Sequence, residues 1–212
     1  MLRIVAVVWA ALSLSACAVV SSDRPLFSPL DAAGAPILKP GLWAMPVGDC
    51  RFSMRGPALK WPDCANGAYV GPSTLVGGKR DAAGAFSNAL DYRLAAGDPA
   101  VLQIEAPADR DPGDPKVIYL GVRPLASDGD GRVTKARVWL ALCAKPPAMD
   151  AGDRSKPTKL PVGLSAIKGP EECQARTQAA VRNAARQSEA WAFGGDGDDF
   201  GLVARWIRDG DR

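Results

Sequence analysis

The chain contains no histidine. That absence removes Ser-His-Asp and Cys-His catalysis, the commonest general base, and the usual zinc and haem ligands. An enzyme built on this chain would have to work with carboxylates, Lys, Tyr, Ser or Cys. There is no CxxC pair, so the cysteines do not read as metal ligands either. An excess of one charge is also missing. Lys and Arg number 26 against 23 Asp and Glu, a net charge of +3, which is too little to argue for a nucleic-acid partner. The apolar run from Ile4 to Leu14 falls short of the ~20 residues a membrane-crossing helix needs, and the polar stretch Ser21-Ser22-Asp23-Arg24 soon follows it. These absences imply no metal and no cofactor.

The start of the chain is informative. Arg3 supplies a positive charge, the apolar run follows, and Ser15 and Ala16 are small, which together are the features of a secretory signal. The run closes as Leu14-Ser15-Ala16-Cys17. That stretch resembles the lipobox of bacterial lipoproteins, at the right distance from Met1. The resemblance implies that residues 1–16 are a signal peptide and that Cys17 becomes the acylated first residue and membrane anchor. Two or more acyl chains hold a protein stably where one binds only marginally. Ala18 stands where inner-membrane retention would want Asp, which implies the outer membrane, with the protein facing the periplasm.

The rest divides into residues 17–40, read as the lipidated cysteine and a tether, and residues 41–212, read as one globular domain of a size that can bury a sizeable core. Pro25, Pro29, Pro36 and Pro40 break any helix in the tether. Extended, it would reach roughly 70 Å at ~3.1 Å per residue. Alternatively, Leu26, Phe27 and Leu30 dock on the domain. Apart from Cys17, four cysteines remain, and an even number in an oxidising envelope reads as two disulfides. Three pairings exist. Cys50–Cys64 closes a short loop, and Cys143–Cys173 would staple a strand end to a helix, so that pairing is favoured.

Hydrophobic period supplies the elements. Strand candidates begin at Gly41 to Met45, with Tyr69-Val70 and Thr74 to Val76 after them and Gly77-Gly78 as a turn. Residues 90–94 and 102–106 alternate around the turn Ala96-Gly97-Asp98-Pro99, which is a hairpin pattern. Lys116 to Leu125 is apolar on both faces and reads as a central strand. Val133 to Cys143 turns Ala136, Val138, Leu140 and Leu142 inward and Lys135, Arg137 and Trp139 to a wetter face. Pro170 to Trp191 has helical spacing, with Cys173 on its buried side. Phe200 to Arg208 closes the chain as a strand. The fold class is therefore mainly β (α+β): an antiparallel sheet or curled, barrel-like domain of about eight strands with one long C-terminal helix packed on it. It resembles lipocalin-like barrels in combining strands with a late helix.

Candidate site residues are few. Trp43 and Trp61, with Arg51, Arg55 and Lys60, mark a possible binding loop around Cys50 to Cys64. Asp128-Gly129-Asp130 lacks the Glu a calcium loop needs, because Trp139 occupies that position, and so reads as a hairpin turn. Residues 71–79 fail the phosphate-loop spacing. Ser165-Ala166-Ile167-Lys168 matches the S-x-x-K spacing of penicillin-recognising enzymes without their other motifs. Asp196, Asp198 and Asp199 read as a solvated turn. Three functions follow: a non-enzymatic envelope lipoprotein with a binding or structural role, which binds an envelope protein or small ligand or supports envelope assembly, a lipocalin-like carrier of a small apolar ligand, and a carboxylate-based hydrolase using Asp91 and Glu105, which would need a cleft.

Overall fold

A computed structural model describes residues 19–80, 86–107, 115–145, 160–167, 173–194 and 201–210. Its strands are β1 (Val20–Ser22), β2 (Gly41–Ala44), β3 (Gly67–Val70), β4 (Thr74–Arg80), β5 (Phe86–Ala95), β6 (Ala100–Glu105), β7 (Val117–Ser127), β8 (Val133–Leu140), β9 (Leu164–Ala166), β10 (Cys173–Ala175) and β11 (Leu202–Arg208), with one α-helix, α1 (Gln178–Phe193), before the last. Strands β2 to β8 follow one another as an antiparallel meander, and β11 pairs with both β8 and β2. The result is a closed antiparallel barrel of eight strands. Closure leaves no free sheet edge in the barrel itself. Strands β1, β10 and β9 extend from β7 as a small flap outside it.

The alternation in β5 and β6 makes the wall legible. Leu90, Tyr92 and Leu94 and, opposite them, Leu102 and Ile104 face the interior, while Asp91 and Glu105 are paired in register on the outside. Strand β7 is apolar on both faces because both are covered. Ile118, Leu120 and Val122 turn inward, and Val117 and Tyr119 turn to a second layer under α1.

That layer explains three departures from the sequence reading. First, α1 starts at Gln178 rather than Pro170: Thr177 is its N-cap, accepting from the Ala180 amide at 3.2 Å. Cys173 lies instead on β10, whose backbone is committed to β1 and β9. The Cys143–Cys173 disulfide therefore staples β10 to the chain leaving β8, and the second bridge joins Cys50 to Cys64. Second, Trp139 is buried, not wet. It points outward with Lys135 and Arg137, but the helix covers it and its indole N–H donates to the Ala185 carbonyl at 2.7 Å. The covering stripe is built of small residues, Ala180, Val181, Ala184, Ala185, Ser188 and Ala192, which allows close approach; the buried Ser188 hydroxyl accepts from the Leu142 amide at 2.8 Å. Third, Gly77 and Gly78 lie within β4, not at a turn.

Residues 19–40 are packed onto the domain. Val20 and Phe27 are fully buried, whereas Leu30 is 87% exposed. Gln103, itself fully buried on the outside of β6, accepts from the amides of Leu26 and Phe27 at 2.9 Å each and donates to the Phe27 carbonyl at 3.3 Å. This buried amide has its hydrogen bonds made, as burial requires. Further on, Val133 and residues 37–39 exchange backbone hydrogen bonds of 2.7 and 2.9 Å. A third core, under the Cys50–Cys64 loop, contains Leu42, Ala44, Ala58, Trp61 and Ala65 on the outside of β2.

Gly121 tests the helix layer. A Cβ there would collide with the Trp139 indole, which is fixed from behind by α1 and by the edge of Phe193. Gly121→Ala is expected to cost about 1–3 kcal/mol, seen as a lower denaturation midpoint with an unchanged slope.

Candidate ligand site in the barrel

The interior is closed at one end. Trp43 on β2 and Trp206 on β11 stand directly opposite each other in the barrel core. Their indole N–H groups donate to the carbonyls of Lys39 at 2.9 Å and Pro40 at 3.0 Å, so the segment leading into β2 is laid across this end. Leu38 and Ala35 pack against the same core. The Lys39 ammonium sits 4.0 Å above the Trp206 ring and 3.3 Å from the Asp128 carboxylate. Burial alone would raise the Asp128 carboxyl, but the amides of Arg132 and Asp130 and the Lys39 ammonium hold it below its ordinary value. Asp128 also organises the β7–β8 turn, accepting from those amides at 2.9 and 3.1 Å. The Asp128-Gly129-Asp130 run is thus a hairpin turn.

Tyr92 places its hydroxyl at the same end, donating to the Gly71 carbonyl at 2.8 Å. Burial raises its pKa from 10.0 to about 12. This hydroxyl and the two indole N–H groups are tied to backbone carbonyls, and the other core side chains described there are apolar.

The other half differs. Deep residues Trp43, Leu94, Leu102, Val122, Ala136 and Ala204 are buried. Toward the far end, Leu75 faces Leu90 across β4 and β5, Leu120 faces Leu140 across β7 and β8, and Val138 faces Leu202 across β8 and β11. Leu75, Leu90, Leu120 and Val138, with Ile118, are only partly buried against the barrel core, and Leu140 and Leu202 share that face by register; Ile104, opposite Ile118, is buried. An eight-stranded barrel is just wide enough either to be filled by its own side chains or to hold one small ligand. Here the closed half is filled and the far half presents a ring of aliphatic side chains.

The sequence candidates scatter around this site. Trp43 is part of it. Trp61 is not: it lies outside the barrel, its ring 4.9 Å from Phe52 and its N–H on the Ser53 carbonyl at 3.1 Å, so the two tryptophans do not share a pocket. Cys50, Cys64, Cys143 and Cys173 are bridged away from it. Asp91 and Glu105 are neighbours on the outer wall. Neither lines the cleft beside β11 nor the groove beside β1. Ser165 is on β9, not on the helix turn an S-x-x-K site needs. Lys168, Cys17, Asp196, Asp198 and Asp199 lie outside the described residues. Among the described residues no group of three or more Cys, Asp or Glu could hold a metal ion. Trp206 and the aliphatic ring were not picked out by the sequence reading; the alternation placed the residues, but closure of β11 on β2 was needed to bring them together.

These features define a class: an eight-stranded up-and-down barrel with one external helix and an apolar interior closed at one end. No protein-family model matches the chain, and no curated protein or solved structure matches it.

Tyr92 gives the site a pH signature. A phenol with a raised folded-state pKa is more protonated in the folded chain than in the unfolded one. Its contribution is therefore complete below pH 10 and is lost as the pH rises toward about 12. Burial raises Tyr119 in the same direction. Tyr92→Phe is expected to cost about 1 kcal/mol at neutral pH and to flatten part of the alkaline loss in denaturation curves taken between pH 9 and about 12.

Proposed function

We propose that this protein is a non-enzymatic envelope lipoprotein, held in the outer membrane by acylated Cys17, that binds a small apolar ligand in the far half of its barrel. One observation carries the binding role: of the inward-facing aliphatic side chains, Leu94, Leu102 and Val122 toward the closed end are buried, and Leu75, Leu90, Ile118, Leu120 and Val138 toward the other are only partly buried, with Ile104 the exception at 7% exposed. The side chains described on that surface are aliphatic, so they select ligands by apolar contact area. The lipocalin-like comparison rests on the same arrangement and on the late external helix.

The anchor reading supports a position close to the bilayer. Val19 is already bridged to Leu142, and the Val20 amide donates to the Ala141 carbonyl at 2.8 Å. Only Ala18 separates Cys17 from Val19, two backbone steps that span at most ~7 Å. Acylated at Cys17, the domain would sit at the membrane surface rather than on the end of a long spacer, within reach of ligands that partition into lipid. Residues after Cys17 serve as β1 and as the strap over Gln103.

The experiment is a titration with an apolar fluorophore. The Cys17→Ser chain should leave the membrane fraction and still bind the dye, because the anchor and the barrel are separate devices. Leu120→Arg and Leu90→Arg, which place a charge in the aliphatic ring, should each weaken binding at least tenfold, a loss of about 1.4 kcal/mol or more. Equal binding by wild type and both variants, or none by wild type, would refute the ligand role. Membrane association that survives Cys17→Ser, or an unmodified mature N-terminus by mass spectrometry, would refute the anchor.

A further inference from the structure

A second cleft lies outside the barrel, between the disulfide-closed loop and the wall. Its volume is about 400 Å³. Its floor is apolar: Ala44 on the outer face of β2, Ile207 on β11, and Phe52 from the loop. Arg51 from the loop and Arg205 from β11 also line it, Arg205 standing directly opposite Ala44 in register.

Arg51 and Arg205, like Arg24, Arg55 and Arg176, are exposed guanidinium groups that no hydrogen bond or ion pair among the described residues engages. Arg93, Arg123, Arg132, Arg182, Arg186 and Arg208 all donate to carbonyls or carboxylates. No carboxylate lines their cleft. The groove beside β1 also carries two arginines, Arg24 and Arg176, but Asp23 lines it with them and supplies a counter-charge. The loop that carries Arg51 is rigidly held. Cys50–Cys64 closes it, Trp61 packs on Phe52 and donates to Ser53, and Arg208 donates to the carbonyls of Met54 at 2.8 Å and Gly56 at 3.0 Å. A site fixed before binding loses little freedom when its ligand arrives.

We infer that this cleft is a second binding site, for a single-chain alkyl carboxylate. Arg51 and Arg205 take the carboxylate, and the chain lies on Ala44, Phe52 and Ile207. Arginine suits this role because its planar fork matches a carboxylate's two oxygens. The site is chemically distinct from the aliphatic side chains described in the far half of the barrel, and the inference stands whether or not the barrel binds a ligand.

The test is equilibrium dialysis of labelled octanoate against the acylated full chain in lipid nanodiscs, with empty nanodiscs subtracted. Arg51→Gln and Arg205→Gln are each expected to weaken octanoate binding about tenfold, the loss of one charge-assisted hydrogen bond, and the double variant more. Both side chains lack partners in the fold, so thermal melting of the variants should match wild type. Arg205→Lys should recover part of the affinity, and Leu120→Arg, which blocks the barrel, should leave octanoate binding intact. Octanoate binding unchanged in the double variant, absent from wild type, or lost only with Leu120→Arg would overturn the inference.

Discussion

Burial of β7 on both faces is the constraint on which the rest of the molecule depends. One face contributes Ile118, Leu120 and Val122 to the barrel interior, and the other contributes Val117 and Tyr119 to the layer under α1. The strand bonds to β6 along one edge and to β8 and then β1 along the other. A strand with two apolar faces needs cover on both. The barrel supplies one cover. The other is assembled from parts distant in sequence: residues 20–27, α1 and β10, which the Cys143–Cys173 bridge fixes in place. The Tyr119 hydroxyl at this junction meets the Ser22 hydroxyl at 2.6 Å, so the buried phenol is not left without a partner.

The N-terminal segment is therefore structural. It supplies β1, then the backbone that satisfies Gln103, then the stretch across the closed end of the barrel, where Lys39 and Pro40 receive the indole N–H groups of Trp43 and Trp206. The same strap links the closed end of the barrel to β1 and the layer under α1. The helix is clamped separately, by Arg123 of β7, which donates to both carboxylate oxygens of Glu189.

Much of this was legible from local pattern. Period-two alternation in β5, β6 and β8 located the wall and its inner side, the double-sided run located β7, and the cysteine count with a short loop located Cys50–Cys64. The Cys143–Cys173 pairing was also favoured, but from a helical reading of Cys173 that β10 replaces. What was not legible depends on contacts between distant segments. Trp139 reads as solvent-facing from alternation alone, because its cover is a stripe of alanines some 45 positions later whose small size shows its purpose only when the helix lies on the sheet. Cys173 reads as helical from spacing, because the pairing that makes it a strand comes from β1, at the other end of the chain. Proline content hid the role of residues 19–40, since a strap held by Gln103 has no periodicity to detect. The ring of aliphatic residues was partly visible as inward residues, but Trp206 joined Trp43 only through the β11–β2 pairing that closes the barrel.

The central claim is that the barrel is filled at one end and receptive at the other. Methyl NMR of the Cys17→Ser chain, titrated with benzene, addresses it most directly. The account predicts shifts concentrated on the methyls of Leu90, Ile118, Leu120, Val138 and Leu202, with those of Val101 and Val117, in the layer under α1, unmoved. Shifts spread over the outer surface, or no shift on the inward ring at saturating benzene, would contradict it.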